Sequence, residues 1–209
     1  MVVGITGGIG SGKTTVLKEF QKRGSVAVYI ADKEAKELMN TSPIIKKGLV
    51  DVFGKEAYIN EQLNRPYISD IVFKDSEKLS ELNSIVHPAV FDHFKTFVLN
   101  NKDKAYVLYE NAILFENGSD ALCDVIITVV ARKSERINRV IARDKVRIKR
   151  VVTRDNVTEK EVVERMNNQW SESKKILQSN YVVNNNASNC VESQIVRIHN
   201  NLTENQYLF

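Results

Sequence analysis

The residues with the clearest chemical potential lie near the start of the chain, in the string GGIGSGKT at positions 7–14. The string matches the G-x-x-x-x-G-K-[ST] pattern of a phosphate-binding loop, and it stands between a predicted strand and a predicted helix. Glycines let successive backbone N–H groups turn inward around phosphate oxygens, and the helix N-terminus adds positive potential. We therefore expect Lys13 to reach the β- and γ-phosphates of a nucleotide and the Thr14 hydroxyl to coordinate Mg²⁺.

Other nucleotide-binding patterns do not fit. The G-x-G-x-x-G turn of dinucleotide-binding proteins cannot be drawn through these glycines. The string nearest to the guanine-recognition pattern N-K-x-D, at 100–103, is out of register by one residue, and the D-x-x-G string at 51–54 lies in a helical stretch. ATP is therefore the expected nucleotide, used either for hydrolysis or for transfer to a small acceptor. The predicted ATP-binding residues are Gly8, Gly10, Ser11, Gly12, Lys13, Thr14 and Thr15.

A carboxylate, Asp32, follows the predicted strand Val26–Ile30 after a single alanine. Strand ends in a parallel α/β sheet face the ligand crevice. A carboxylate there could accept the proton of an acceptor hydroxyl or hold the shell of a Mg²⁺ ion. The alternative is a purely structural role for Asp32, as the N-cap of the next helix.

Short β-branched runs alternate with helical patterns, which predicts an α/β fold with a parallel sheet and helices on both faces. Between residues 32 and 105 the pattern is mostly helical with no strand, so we expect one folding unit with a helical insertion beside the sheet. The predicted strands are Val2–Thr6, Val26–Ile30, 105–109, 124–130 and 181–183, and the predicted helices are 15–23, 32–40, 134–154 and 192–201, with a further helix opened by a capping box at Thr158 and Glu161.

Composition narrows the class of protein. With 43% apolar residues in a chain of 209, a real core can form and wholesale disorder is excluded. The apolar runs are too short to span a bilayer, and the start of the sequence has no apolar leader. Cys123 and Cys190 form no spacing motif. We therefore expect a cytoplasmic protein with free thiols.

A basic segment contains the one internal repeat of the sequence. Residues 136–146 are followed at once by 147–157, with seven of eleven positions identical. Eleven residues make about three helical turns, so a helix could absorb the duplication and keep the same face. Residues 132–154 hold ten basic and two acidic side chains, although the whole chain carries only +4. The rest of the protein is therefore mildly acidic.

Several segments in order resemble the dephospho-CoA kinase family, over nearly the whole chain. The segments are GGIGSGKT, Ala31-Asp32 with Ala35-Lys36, Leu63-Asn64-Arg65 with Ile71-Val72-Phe73, the string 82–88 ending in His87-Pro88, Ile113-Leu114-Phe115-Glu116, Arg154-Asp155 with Arg165 and Gln169, and the string 180–185. The departures from the family pattern are Ile30 for a first aspartate, Lys36 for arginine, Glu110 for aspartate, Ala112 for proline and Asn180 for aspartate.

The resemblance implies a P-loop kinase that transfers the ATP γ-phosphoryl group, with Mg²⁺, to the 3′-hydroxyl of dephospho-CoA. It also implies a core at about 1–31, 104–131 and 178–209, a helical substrate-binding part at about 32–103 and a lid at about 132–177. On this mapping Asp32 is the base or the group that positions the hydroxyl. The implied acceptor-binding residues are Lys36, Arg65 and His87. For Arg65 a plain solvated role stays open, and for His87 a structural role at a helix end before Pro88.

The lid of such a kinase supplies arginines to the transferring phosphate. Counted from the upstream strand, Arg139 and Arg143 occupy the lid positions, whereas Arg150 and Arg154 do so when counted back from Gln169. We prefer Arg139, because the distance from the strand ending near 130 determines where the helix meets the site.

Two other functions compete with this interpretation. One is another small-molecule or nucleoside-monophosphate kinase of similar build. The other is an ATP-dependent switch whose basic segment binds nucleic acid or an acidic protein, since basic helices bind phosphate backbones nonspecifically. No aromatic interleaving or recognition motif accompanies that segment. We therefore expect ATP and dephospho-CoA as partners, and no nucleic acid, membrane or obligate protein partner.

Overall fold

The computed structural model of the protein describes residues 1–148 and 159–204. These residues form two compact units. One comprises Met1–Val28 with the described residues from Asn101 onwards, and the other comprises Tyr29–Asn100. Outside the described residues lie most of the second repeat copy, with Arg150 and Arg154, and Thr158 of the predicted capping box.

The described elements follow one another in this chain order: β1 (Val2–Thr6), α1 (Lys13–Gln21), β2 (Val26–Ile30), α2 (Ala31–Thr41), α3 (Pro43–Phe53), β3 (Tyr58–Ile59), β4 (Gln62–Leu63), α4 (Arg65–Lys74), α5 (Ser76–Asn100), β5 (Tyr106–Glu110), β6 (Val125–Val130), α6 (Lys133–Ile148), α7 (Glu159–Asn167), α8 (Glu172–Leu177), β7 (Tyr181–Asn184) and α9 (Val191–Glu204). Short 3₁₀ turns at Lys55–Ala57 and Ser119–Leu122 complete the set. Within these ranges, no helix is both long and apolar enough to cross a lipid bilayer.

Five strands form one sheet in the order β2-β5-β1-β6-β7. The pairings of β1 with β5, of β1 with β6 and of β6 with β7 are all parallel. The predicted α/β fold, with a mostly parallel sheet flanked by helices, is therefore confirmed. Because β1 has a neighbour on each side, its apolar residues are removed from water, and both Val3 and Ile5 are fully buried.

The helices of the first unit bury apolar stripes at helical spacing. In α1 the buried residues are Val16, Leu17 and Phe20, and in α9 they are Ile195, Ile198 and Leu202. Phe20 meets Tyr106 edge to face, with ring centroids 6.3 Å apart. The helix predicted from residue 15 begins at Lys13 instead, so that Lys13 and Thr14 lie in its first turn.

The second unit has its own core, in which Ile45, Leu49, Phe53, Ala57, Ile68 and Val86 are buried together. These residues come from α3, the 3₁₀ turn, α4 and α5, as the helical prediction for this section requires. The turns use their own side chains as caps. Ser42 accepts a hydrogen bond from the Ile45 N–H at 3.4 Å, and Asn64 accepts one from the Tyr67 N–H at 3.4 Å.

The expectation of a strand-free second unit is wrong at one point. The short strands β3 and β4 pair as an antiparallel hairpin. Its two central residues, Asn60 and Glu61, both have positive φ, at 47° and 63°. A two-residue turn of this kind matches the twist of the flanking strands, but its usual sequence signal is Asn-Gly or Asp-Gly. Asn-Glu does not carry that signal, so the hairpin could not be predicted from the sequence.

The helix end considered at the His87-Pro88 pair does not occur. The helix α5 runs without a break from Ser76 to Asn100 and contains Pro88 in its interior. A proline inside a helix removes one hydrogen bond and crowds the preceding turn. Here the buried residues Val86 and Phe94 stand on either side of Pro88, so packing continues along the same helix through the proline. Burial of that face outweighs the local cost.

Candidate active site

The phosphate-binding loop connects β1 to α1, as predicted. Its backbone needs glycine at two positions in particular. Gly10 has φ 80° and Gly12 has φ 91°, both in the left-handed region that other residues rarely adopt. A Cβ atom at Gly10 would also collide with the backbone carbonyl of Arg136. The glycines therefore serve both the turn and a close approach of α6.

Part of the loop backbone is free to bind an anion. The N–H groups of Gly10, Gly12 and Thr14 have no hydrogen-bond acceptor among the described residues. The Ser11 N–H, by contrast, donates to the Gly8 carbonyl at 3.0 Å. The first turn of α1 contains no acidic side chain, so the positive end of the helix dipole is not neutralised locally. Unpaired N–H groups at a helix N-terminus form an anion-binding site.

Lys13 meets a carboxylate from the neighbouring strand. Its Nζ atom donates to the Gly7 carbonyl at 2.9 Å and lies 3.7 Å from the Glu110 Oε1 atom. Glu110 ends β5 and stands beside Ile5 of β1 in the parallel register. Both side chains are mostly buried, at 12% and 13% exposed. Glu110 was missed as a site residue, because the sequence shows only a glutamate where the family pattern has aspartate.

Two oxygen-bearing side chains near this loop are of the type that Mg²⁺ binds. Thr14 is exposed in the first turn of α1, and Glu110 adds a carboxylate at the neighbouring strand end. No group of three or more His, Cys, Asp or Glu side chains that could hold a metal occurs among the described residues. Mg²⁺ needs no such cluster, since it usually binds through one or two protein oxygens together with substrate phosphates and water.

Arg139, the lid arginine preferred from the sequence, lies against the loop. Its guanidinium donates to the Ser11 carbonyl at 3.3 Å and to the Asn185 carbonyl at 2.7 Å, and it pairs with Glu135 at 3.0 Å. Arg143, one turn further along α6, is exposed. The other two candidates, Arg150 and Arg154, fall outside the described residues.

Asn185 was not assigned a role from the sequence, yet it also contacts the loop. Its side-chain Nδ2 donates to the Ser11 carbonyl at 2.8 Å, and its own N–H donates to the Val130 carbonyl at 2.8 Å. The residue follows β7 directly, so the parallel sheet brings it to the edge at which β1 enters the loop. The available signal was its place in the string 180–185 of the family resemblance.

Two further residues that contact the loop were missed. Arg136 donates from Nε to the Ile9 carbonyl at 2.9 Å, and Gln169 accepts from the Ile9 N–H at 2.8 Å. Gln169 was matched to the family pattern without a role, whereas Arg136 was one of ten basic residues in the segment 132–154. Nothing in the local sequence separates Arg136 from the solvated members of that segment.

A buried ion pair between Lys175 and Glu116 lies next to Trp170, the residue that follows Gln169. The Lys175 Nζ atom lies 2.9 Å from a Glu116 carboxylate oxygen and donates to the Ala112 carbonyl at 2.7 Å. Glu116 also accepts from the Trp170 N–H at 2.8 Å. The Lys175 side chain is fully buried. Above this network the Phe115 and Trp170 rings stack, with centroids 5.8 Å apart.

The environment shifts the pKa of both partners downward. Burial, which disfavours the ammonium, lowers the pKa of Lys175 despite the nearby carboxylate. Burial alone would raise the pKa of Glu116, but hydrogen bonds from Lys175 and from the Trp170 N–H outweigh it and leave the pKa below its ordinary value. The Glu116 carboxylate and the Lys175 ammonium therefore stabilise each other's charged form.

Glu116→Gln is expected to lower the free energy of unfolding by about 3 kcal/mol, because it leaves a buried ammonium without its counter-ion. The wild-type contribution is present above the ordinary carboxyl pKa of 4.5 and is lost as pH falls through the lowered folded value. The variant should therefore lose stability less steeply in acid. Urea unfolding followed by the fluorescence of Trp170, the single tryptophan, measures both effects. The exposed Asp103→Asn is the control, and an equal response of the two variants would contradict the expectation.

Four predicted site residues lie in the second unit, and all four are exposed: Asp32, Lys36, Arg65 and His87. Asp32 and Lys36 are four residues apart on α2 and share a face. Arg65 begins α4, and His87 lies within α5. The structural role considered for His87, at a helix end, is thereby excluded.

The structural role considered for Asp32 is wrong as well. The N-cap of α2 is Ile30, with no side-chain cap, so Asp32 is the second residue of the helix. Among the described residues its carboxylate has no hydrogen-bond or ion-pair partner. Its one structural contribution is a negative charge in the first turn of α2, which is favourable at a helix N-terminus.

Comparisons with known proteins identify the family to which the sequence belongs. A family model for dephospho-CoA kinase matches residues 1–147 and, as a second segment, 145–190. The two segments overlap where the first copy of the eleven-residue repeat gives way to the second.

Individual relatives give the same result. A dephospho-CoA kinase from Salinibacter ruber is 41% identical over 65% of this chain and 69% of its own length. One from Chlorobaculum tepidum is 33% identical over 97% of this chain and 95% of its own. The crystal structure of TT1252 from Thermus thermophilus superposes with a TM-score of 0.80 at 28% identity, covering 95% of each chain. With its phosphate loop, its P-loop kinase fold and these matches along its length, the chain belongs to the dephospho-CoA kinase family.

Proposed function

We propose that this protein transfers the γ-phosphoryl group of ATP to the 3′-hydroxyl of dephospho-CoA, giving coenzyme A and ADP. The observation that carries the proposal is the phosphate loop, where unpaired N–H groups, Lys13 and Arg139 converge. Membership of the family supplies the acceptor.

In this mechanism the loop N–H groups hold the phosphates of ATP, and Lys13 neutralises charge on their oxygens. Lys13 is positioned by the Gly7 carbonyl and by Glu110. Thr14 and Glu110 would hold Mg²⁺, and the bound ion would neutralise further charge on the transferring phosphate. Arg139 extends from α6 toward the loop and stabilises the charge that develops on the γ-phosphoryl oxygens.

We propose Asp32 as the group that receives or positions the acceptor hydroxyl. Its support is an exposed carboxylate directly after β2 that has no hydrogen-bond or ion-pair partner among the described residues. Lys36, Arg65 and His87 are proposed to bind the acceptor, since each is exposed and two of them are cationic. The division into a core at about 1–31, 104–131 and 178–209, a helical substrate-binding part at about 32–103 and a lid at about 132–177 stays a prediction.

A cytoplasmic location completes the proposal. The two cysteines, Cys123 and Cys190, are unpaired. Burial raises the pKa of the Cys123 thiol to about 12, so it stays protonated at neutral pH. Free thiols of this kind suit a reducing compartment.

The test is a coupled assay of ADP formation with three potential acceptors: dephospho-CoA, a set of nucleoside monophosphates and RNA. Turnover that requires dephospho-CoA, with coenzyme A identified by mass, would support the proposal. Strong turnover on a nucleotide with none on dephospho-CoA would favour another small-molecule kinase. ATP consumption stimulated only by RNA would favour the ATP-dependent switch with a basic binding arm.

Arg139→Ala is expected to lower kcat about 10²-fold, because it removes a cation from the transferring phosphate. Arg150→Ala, in the second repeat copy, should change kcat less than about twofold. The exposed Arg132→Ala on the same basic segment is the control for loss of charge. Steady-state kinetics with saturating ATP measures all three. Equal and small effects of Arg139→Ala and Arg150→Ala would show that neither carries the transition-state charge.

A further inference from the structure

One residue of the phosphate loop, Ile9, is fixed by the helices that follow the sheet. Its side chain packs against an apolar cluster in which Ile137, Val140 and Val162 are buried. The first two belong to α6 and the third to α7. The side chain of a loop residue thus packs against residues of two helices that lie far from it in sequence.

The peptide groups of Ile9 are bonded on both sides as well. The Ile9 N–H donates to the Gln169 Oε1 atom at 2.8 Å, and the Ile9 carbonyl accepts from the Arg136 Nε atom at 2.9 Å. We call these two hydrogen bonds the Ile9 clamp. One half comes from α6 and the other from the turn that follows α7.

Each half of the clamp is itself held in place. The Arg136 guanidinium, only 9% exposed, pairs through Nη1 with Glu172 at 2.9 Å. Gln169 reaches the Ala112 carbonyl from its Nε2 atom at 3.4 Å. Ala112 lies two residues after Glu110, so Gln169 joins the phosphate loop to the loop that follows β5.

The clamp has a consequence for the anion site. It occupies the Ile9 N–H, which therefore does not take part in the set of unpaired N–H groups formed by Gly10, Gly12 and Thr14. The flanking glycines have wide conformational freedom, so the loop does not determine its own shape. Phosphate binding needs that shape set in advance, since donors that must reorder on binding lose affinity.

We propose that Gln169 and Arg136 are positioning residues that set the phosphate-binding shape of the loop through the Ile9 peptides. Neither contacts the reacting atoms in this proposal. The inference rests on the proposed use of the loop for ATP, but not on the identity of the acceptor. It also makes the packing of α6 and α7 a determinant of ATP affinity.

Gln169→Met removes the amide while keeping an unbranched side chain, and Arg136→Lys keeps a charge but cannot contact both Ile9 and Glu172 in the same way. Asn168→Ala is the matched control, since Asn168 is the exposed neighbour of Gln169. Calorimetric titration with ATP and with ADP gives Kd, steady-state kinetics separates KM from kcat, and amide hydrogen exchange by NMR reports on the Ile9 N–H. A thermal scan checks that each variant is folded.

We expect each clamp variant to weaken ATP binding and raise KM for ATP about fivefold, the size of one lost hydrogen bond. The KM for the acceptor should stay within about twofold, and the Ile9 amide should exchange faster in Gln169→Met. The double variant should lose less than the product of the two single effects, because both bonds fix the same residue. Asn168→Ala should match the wild type in every measurement.

A lower Tm in Gln169→Met and Arg136→Lys, with Kd for ATP and Ile9 exchange as in the wild type, would show that the clamp only stabilises the fold and would overturn the proposal. Binding and exchange need no acceptor. A wild type that binds ATP but does not phosphorylate dephospho-CoA would therefore refute the proposed acceptor while leaving the clamp to be decided by the variants.

Discussion

Replacing Lys13 with alanine is expected to lower phosphoryl transfer by about 10³-fold or more while leaving the fold intact. The ammonium is the cation that the loop itself supplies, and its loss leaves charge on the phosphates without compensation in the transition state. The Gly7 carbonyl and the mostly buried Glu110 carboxylate lose a partner, and we expect this to lower the free energy of unfolding by about 2 kcal/mol, a loss that a folded domain of ordinary stability can absorb.

The measurement is kcat/KM for ATP, together with urea unfolding of the same preparation. Lys18→Ala is the matched control, because Lys18 is an exposed lysine on the same helix, α1. The control should keep wild-type activity. If Lys13→Ala retained a near-normal rate, the assignment of the string 7–14 as the phosphate loop would fail. A variant that did not fold would be replaced by Lys13→Met, which keeps the side-chain volume.

Asp32→Asn should reduce kcat by about 10²- to 10³-fold with a small change in KM for ATP. An amide has nearly the shape of the carboxylate but cannot accept a proton from the acceptor hydroxyl, and general-base groups contribute on this scale. Asp32 has no hydrogen-bond or ion-pair partner among the described residues, so Asp32→Asn loses only the favourable charge in the first turn of α2, and its free energy of unfolding should fall by no more than about 0.5 kcal/mol.

A second exposed acid on α2 provides the control. Glu37→Gln removes one negative charge from the same helix and should leave kcat within about twofold. Asp32→Glu tests position, since it keeps the carboxylate but moves it outward by about one methylene group. Equal rates for Asp32→Asn and Glu37→Gln would remove Asp32 from the mechanism.

Much of this fold could be predicted from the sequence because its signals are local. The β-branched run Val2–Thr6 before a glycine cluster marks both the central strand and the loop that follows it. The hairpin at 58–63 and the unbroken α5 could not be predicted, because a left-handed Asn-Glu turn and a proline inside a packed helix depend on tertiary packing that overrides the usual preference.

The candidate site divides in the same way. The phosphate loop is contiguous, so Lys13 and Thr14 could be found from spacing alone. Arg136, Gln169 and Asn185 reach that loop from positions 127 to 174 residues away along the chain. These three residues reach the loop only because the strands and helices pack together in the folded chain. A single polar residue carries no local sequence pattern that would predict such a contact.

The carbonyl of Ala112 accepts hydrogen bonds from three side chains, those of Lys175, Gln169 and Thr6. Every one of these bonds ends on the backbone, and the Ala112 N–H has no acceptor among the described residues. Proline offers the same carbonyl, and the N–H that it lacks is unused here. The hydrogen bonds of this network therefore do not distinguish alanine from the proline of the family pattern, and the backbone support beneath the nucleotide site needs only the carbonyl at this position.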